Sequence, residues 1–146
     1  MAASSTIEHD KLPNPNLEWI LLDKIGEGTY GQVYRIKFKQ SNENTAAAKI
    51  IRIENDEISS ELENELNILK KISKQDENLP DFIGIFGDYD SSKSARIWFI
   101  MELCHLGPIT RLIKQIEKKT QLNKSDKEKL IAYSLQSTLK ALKYLH

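Results

Sequence analysis

The apolar positions change their spacing several times along this chain, and each change marks a new element. Leu17 to Lys24 carries Trp19, Ile20, Leu21 and Leu22 and leads into Ile25-Gly26-Glu27-Gly28-Thr29-Tyr30-Gly31, which predicts a strand followed by a mobile turn. Gln32 to Lys39 sets Val33, Arg35, Lys37 and Lys39 against Tyr34, Ile36 and Phe38, a two-residue period broken only at Val33 and therefore a second strand. Ser41 to Asn44 has the composition of a hairpin tip, and Thr45 to Ile53 returns as a third strand. From Asp56 to Ser73 the period lengthens: Ile58, Leu62, Leu66, Leu69 and Ile72 predict an amphipathic helix. Beyond the break at Pro80, Phe82 to Tyr89 and Arg96 to Leu103 read as two more strands around the polar loop Asp90 to Ser94. Gly107-Pro108 then starts a helix reaching about Lys119, with proline at its first position and Ile109, Leu112, Ile113 and Ile116 along one side. A last helix is opened by the capping pattern Ser125-Asp126-Lys127-Glu128 and carries the stripe Ile131, Leu135, Leu142 and Leu145. The expected class is α+β, a five-stranded antiparallel sheet with one helix, followed by two helices.

Composition narrows this only slightly. At 146 residues and 40% apolar content the chain has the size and core material of a globular segment. Its 21 basic and 21 acidic residues cancel, so no net field favours nucleic acid or an anionic membrane surface. Cys104 is the only cysteine, which excludes an intrachain disulfide and fits a reducing, cytoplasmic setting. Residues 1–16 are polar, contain Pro13 and Pro15, and have neither a signal-peptide core nor a run able to span a bilayer. They read as a flexible leader.

The spacing Gly26-x-Gly28-x-x-Gly31 also opens dinucleotide-binding units, but there a helix follows the glycines, whereas Gln32 to Lys39 alternates as a strand. A hairpin loop of this kind can lay backbone N–H groups over a triphosphate because glycine has no side chain to hold the chain away. Val33, two residues on, would cover an adenine. Lys49 ends Ala46-Ala47-Ala48-Lys49 and is followed at once by Ile50 and Ile51, so it needs an anionic partner. Taking roughly 100° per residue from Ile58, Leu62, Leu69 and Ile72 fall within about 40° and Glu65 about 20° away. A carboxylate inside an apolar stripe is costly unless paired, and Lys49 is the obvious partner, with Glu61 at the stripe's flank as a competitor.

Ile25 to Tyr34, Ala47-x-Lys49 and Glu65-Leu66-Asn67-Ile68-Leu69-Lys70-Lys71 resemble the small lobe of protein kinases, over about Trp19 to His146. Ile97 to Cys104, followed by Gly107-x-Ile109-Thr110-x-Leu112-Ile113-Lys114, is similar to the germinal-centre-kinase, or sterile-twenty-like, branch and to class III myosin kinase domains. The resemblance implies a protein-kinase-like small lobe and hinge at 17–104 and the start of the large lobe at 105–146. It implies ATP as cofactor and a protein serine or threonine hydroxyl as acceptor. Gly26, Gly28 and Gly31 would cover the phosphates, with Glu27, Thr29, Tyr30 and Gln32 in the same loop. Ile25, Val33 and Ala47 would pack on adenine, and Lys49 would contact the α- and β-phosphates with Glu65 as its ion-pair partner. Met101 would be the gatekeeper, Glu102 and Cys104 would offer backbone hydrogen bonds to the base, and Leu103 would lie between them.

Some positions depart from that pattern. Ala46 and Ala48 replace bulkier β-branched residues, which is expected to loosen strand packing slightly. Pro108 and Arg111 stand where serine and aspartate are common, which removes a polar contact toward the ribose. No His-Arg-Asp or Asp-Phe-Gly occurs, so the residues that would hold magnesium and position a hydroxyl are not in these 146 residues. The chain alone is expected to be inactive, as a portion of a kinase or, alternatively, as a pseudokinase-like regulatory module that binds nucleotide or a partner.

Overall fold

A computed structural model describes residues 11–29, 31–41, 43–53, 58–91, 94–119 and 123–145. Its elements are β1 (Trp19–Gly28), β2 (Gly31–Phe38), β3 (Thr45–Arg52), α1 (Ser60–Ile72), β4 (Phe82–Tyr89), β5 (Ala95–Glu102), α2 (Ile109–Lys119) and α3 (Lys124–Leu145). The strands form one antiparallel sheet in the order β1-β2-β3-β5-β4, so the expected five-stranded sheet and three helices are present.

Side chains alternate between the two sides of a strand, and here both sides carry a core. Trp19, Ile36, Ala46, Ala48, Ile50, Phe86, Trp98 and Ile100 cluster on the outer side, with Tyr34 and Phe38 packed against them. Ile51, Ile53, Leu62, Leu66, Ala95, Ile97 and Phe99 cluster on the inner side, where α1 lays its apolar stripe. Ser59 caps α1, its Oγ accepting from the Leu62 N–H at 3.3 Å. At the other end the Ser73 hydroxyl accepts from the Phe82 N–H at 2.9 Å and donates to the Phe82 carbonyl at 3.1 Å, tying the helix to β4.

Several expectations are corrected. Gly26 and Gly28 are not part of a turn: β1 continues through both, because its hydrogen-bonded pairing with β2 persists to Gly28 opposite Gly31. Helix α1 starts at Ser60, since the Ser59 side chain takes up the free N–H of Leu62; Ile58 precedes it, and Asp56 and Glu57 lie outside the described residues. Pro108 precedes α2 instead of opening it, its carbonyl accepting from Arg111 and Leu112 at 2.9 and 3.2 Å. Helix α3 begins at the Asn123 cap, whose Oδ1 accepts from the Asp126 N–H at 2.9 Å two residues ahead of the expected Ser125. Ala46 and Ala48 are fully buried on the outer side, in one cluster with Trp19, Phe86 and Trp98.

The expected leader is also partly structured. Pro15 is buried, the Pro13 carbonyl accepts from the Gly87 N–H at 3.0 Å, and Asn16 Nδ2 donates to Asp88 at 3.1 Å. Residues 1–10 lie outside the described residues. In α3 the stripe Ile131, Leu135, Leu142 and Leu145 is exposed, and among the described residues no helix is long and apolar enough to cross a membrane.

The glycines of the β1–β2 hairpin are not equivalent. A Cβ on Gly31 would stand 2.3 Å from the Ile50 carbonyl oxygen, whereas one on Gly28 would meet nothing within 4 Å. Gly31→Ala is therefore expected to cost ~1 to 3 kcal/mol by overpacking, and Gly28→Ala to stay within about 0.5 kcal/mol. Urea denaturation of the two variants checks this, and equal losses would contradict it.

Candidate functional site

The register of the sheet assembles the predicted residues. Gly26 pairs with Val33, Val33 with Lys49 and Lys49 with Phe99, and cross-strand partners share a side. Ala47, two positions before Lys49, pairs with Met101 and so lies on that same inner side. The apolar cluster beneath α1 draws on β3, β4 and β5 but on neither β1 nor β2. The inner side of the β1–β2 hairpin therefore lacks the helix as a cover. Most of β2 accepts this by presenting Arg35 and Lys37 there, and Arg35 pairs with Asp23 at 2.6 Å. Val33 is the apolar exception, half-buried, and Ile25 of β1 is 47% exposed.

Lys49 and Glu65 meet. Nζ donates to Oε1 at 2.5 Å, joining β3 to α1. The competitor Glu61 is exposed in the first turn of α1, where its own backbone N–H, and then the Ser59 hydroxyl, hold its carboxyl below the usual range. That position serves the helix N-terminus and leaves Glu65 to the lysine.

Other predicted residues are placed differently. Gln32 pairs with Ile50 of the outer cluster and accepts from the Tyr34 hydroxyl at 2.7 Å, so its side chain is turned away from Lys49. Glu27 pairs with Gln32 and takes a 2.6 Å hydrogen bond from Lys24, which together with Gln32 holds its carboxyl below the usual range. These two can offer a ligand on the inner side only their backbone. Thr29 is exposed, and Tyr30 lies outside the described residues.

At the end of β5, Met101 is half-buried against the inner cluster. The Glu102 N–H donates to the Asp81 carbonyl at 2.8 Å, and its carboxylate accepts from the Asp81 N–H at 3.2 Å. Leu103 is half-buried and Cys104 exposed. The Cys104 carbonyl accepts from the Gly107 N–H at 2.9 Å, in a turn that Gly107 closes at φ +67°, a left-handed conformation suited to glycine.

Sequence reasoning missed a buried carboxylate. Asp88 accepts from Arg96 Nε at 3.0 Å and Nη2 at 2.8 Å, from Trp98 Nε1 at 3.1 Å and from Asn16 Nδ2 at 3.1 Å. The only signal was an opposite-charge pair at Asp88 and Arg96, and it becomes visible once β4 and β5 are in register.

A protein kinase domain model matches residues 19–146. The chain belongs to the protein kinase family. It is 37% identical over 141 residues to "Myosin-IIIa" of Homo sapiens, covering 97% of this chain and 8% of that protein. Similarity at 35% over 129 residues extends to "Serine/threonine-protein kinase pakF" of Dictyostelium discoideum, covering 88% of this chain and 10% of that one. "Serine/threonine-protein kinase mig-15" of Caenorhabditis elegans is 34% identical over 143 residues, covering 96% and 12%. The chain thus spans about a tenth of the length of these relatives. The resemblance to class III myosin kinase domains holds, and the sheet with α1 is the small lobe, with α2 and α3 beginning the large lobe.

With side-chain exposures of 22% and 36%, the Lys49–Glu65 pair lies between a buried and a surface ion pair. A double-mutant cycle of Lys49→Met and Glu65→Gln by urea denaturation is expected to give a coupling of about 1 kcal/mol. Additive losses would mean that the contact contributes no net stability.

Proposed function

We propose that the uncovered inner side of the β1–β2 hairpin, Lys49 and the 101–104 segment bind ATP, and that the chain is the ATP-binding portion of a protein serine/threonine kinase. The observation that carries this reading is the juxtaposition of the Lys49–Glu65 pair with apolar side chains that α1 does not cover. Ile25, Val33, Ala47 and Met101 suit the two faces of a flat base. The open space at Gly28 supports the same reading, because no protein atom within 4 Å requires glycine there, whereas Gly31 is required by the fold.

In this arrangement Lys49 presents a fixed positive charge to the α- and β-phosphates, and Glu65 holds the ammonium at the required place. That contribution is electrostatic and positional, not covalent. The backbone of Gly26 to Gly31 lies over the phosphates, the Cys104 N–H and the Glu102 carbonyl face the base edge, and Leu103 packs between them. ATP supplies the phosphoryl group transferred to a protein hydroxyl. The asparagine and aspartate that would hold magnesium in the complete enzyme belong to the catalytic loop and the Asp-Phe-Gly motif, which do not occur in these 146 residues. We place the domain boundary at 104–105 and the protein in the cytoplasm.

Titration with a fluorescent ATP analogue tests the site. Lys49→Met and Gly28→Val are each expected to weaken binding about tenfold or more, equivalent to roughly 1.4 kcal/mol, with Gly28→Val keeping the wild-type denaturation midpoint. Unchanged affinity in both would overturn the reading. The 146-residue chain is expected to bind without phosphorylating a protein acceptor, since it holds no His-Arg-Asp or Asp-Phe-Gly. Transfer by this chain would refute that part alone.

A further inference from the structure

The segment before β1 runs from one edge of the sheet to the other. Strands β1 and β4 are the two edges, yet the residues leading into β1 bond to β4. Nearest β1, the Asn16 carbonyl accepts from Lys39 Nζ at 2.5 Å. The Asn16 side chain reaches Asp88 of β4, and the preceding Pro15 is buried. Further back, the Pro13 carbonyl accepts from the Gly87 N–H. The other side of β4 is occupied by β5, so this bond falls on its free edge. Leu12 then packs against the inner cluster, on the side opposite the one where Trp19 is buried. Residues 12–17 therefore form a strap that crosses the outer side, bonds to the β4 edge at Gly87 and ends against the inner cluster that α1 covers.

Where it ends matters for α1. The C-terminal end of α1 is tied to β4 by the Ser73–Phe82 hydrogen bonds. Gly87 is five residues along β4 from Phe82, about 17 Å at strand rise. Leu62 is ten residues back along α1 from Ile72, about 15 Å at helix rise. The strap's contact thus falls at the other half of the helix, where Leu62 and Leu66 share a cluster with Ile53, Ala95 and Ile97. The inner cluster runs the length of β4, from Phe82 opposite Met101 to Ala95 opposite Tyr89, and Ala95 and Ile97 are its members nearest the strap because they pair with Tyr89 and Gly87. Glu65 lies between Leu62 and Leu66.

We propose that Leu12 is a positioning residue for α1: the strap, anchored through Asn16 on Asp88, holds the N-terminal half of the helix against the sheet and so keeps Glu65 in reach of Lys49. Its functional consequence rests on the ATP-binding reading above, but the coupling of strap to helix does not. Hydrogen exchange on the full 146-residue chain without nucleotide separates the two. In Leu12→Ala, amides of Leu62 to Leu66 are expected to exchange about tenfold faster, while those of Ile36, Ala48 and Ile72 keep their protection. Asn16→Ala, which removes the anchor without opening the core, is expected to act in the same direction, and Leu12→Met to retain protection. No change at residues 62–66, or an equal loss in helix and sheet, would overturn the proposal.

Discussion

An ammonium on a central strand and a carboxylate within a helix's apolar stripe can leave water only by meeting each other, and this requirement joins the two halves of the small lobe. Lys49 follows three alanines and precedes Ile50 and Ile51, all of them buried, so its neighbours offer it no counter-ion. Glu65 is flanked by Leu62, Leu66 and Leu69 on α1. Their contact holds α1 at one rotation about its axis, with Glu65 turned to β3 while Leu62 and Leu66 stay buried.

The helix covers only part of the inner side, and the remainder acquires its character from that omission. Helix α1 packs on apolar residues of β3, β4 and β5, while over β1 and β2 the inner side carries Arg35, Lys37 and open space. Val33 breaks the polar row of β2 where it lies opposite Lys49. The glycines divide in the same manner, with Gly31 required by the close approach of Ile50 and Gly28 leaving room for something other than protein.

On the outer side the buried Asp88 plays a different part. Its oxygens take hydrogen bonds from Arg96, Trp98 and Asn16, so the charge is satisfied by groups from β5 and from the segment ahead of β1. This is how polar residues read as a leader become part of the packed lobe, and why the β4 edge is not left open.

Sequence periodicity alone determined the order of the elements, the identity of β2 as a strand after the glycines, and the placement of Glu65 in the stripe of α1. Each is a local property, fixed by whether neighbours along the chain repeat every two residues or every three to four. The choice of Glu65 over Glu61, the outward turn of Gln32 and Glu27, the continuation of β1 through Gly28 and the docking of Leu12 to Asn16 were decided by the tertiary structure. Those depend on strand register and on which side of the sheet a distant segment crosses, and register is set by pairing between residues far apart in sequence. Asp88 shows the limit most clearly: along the chain it is one more acidic residue in a strand, and only the pairing of β4 with β5 sets Arg96 opposite it and makes its burial tolerable.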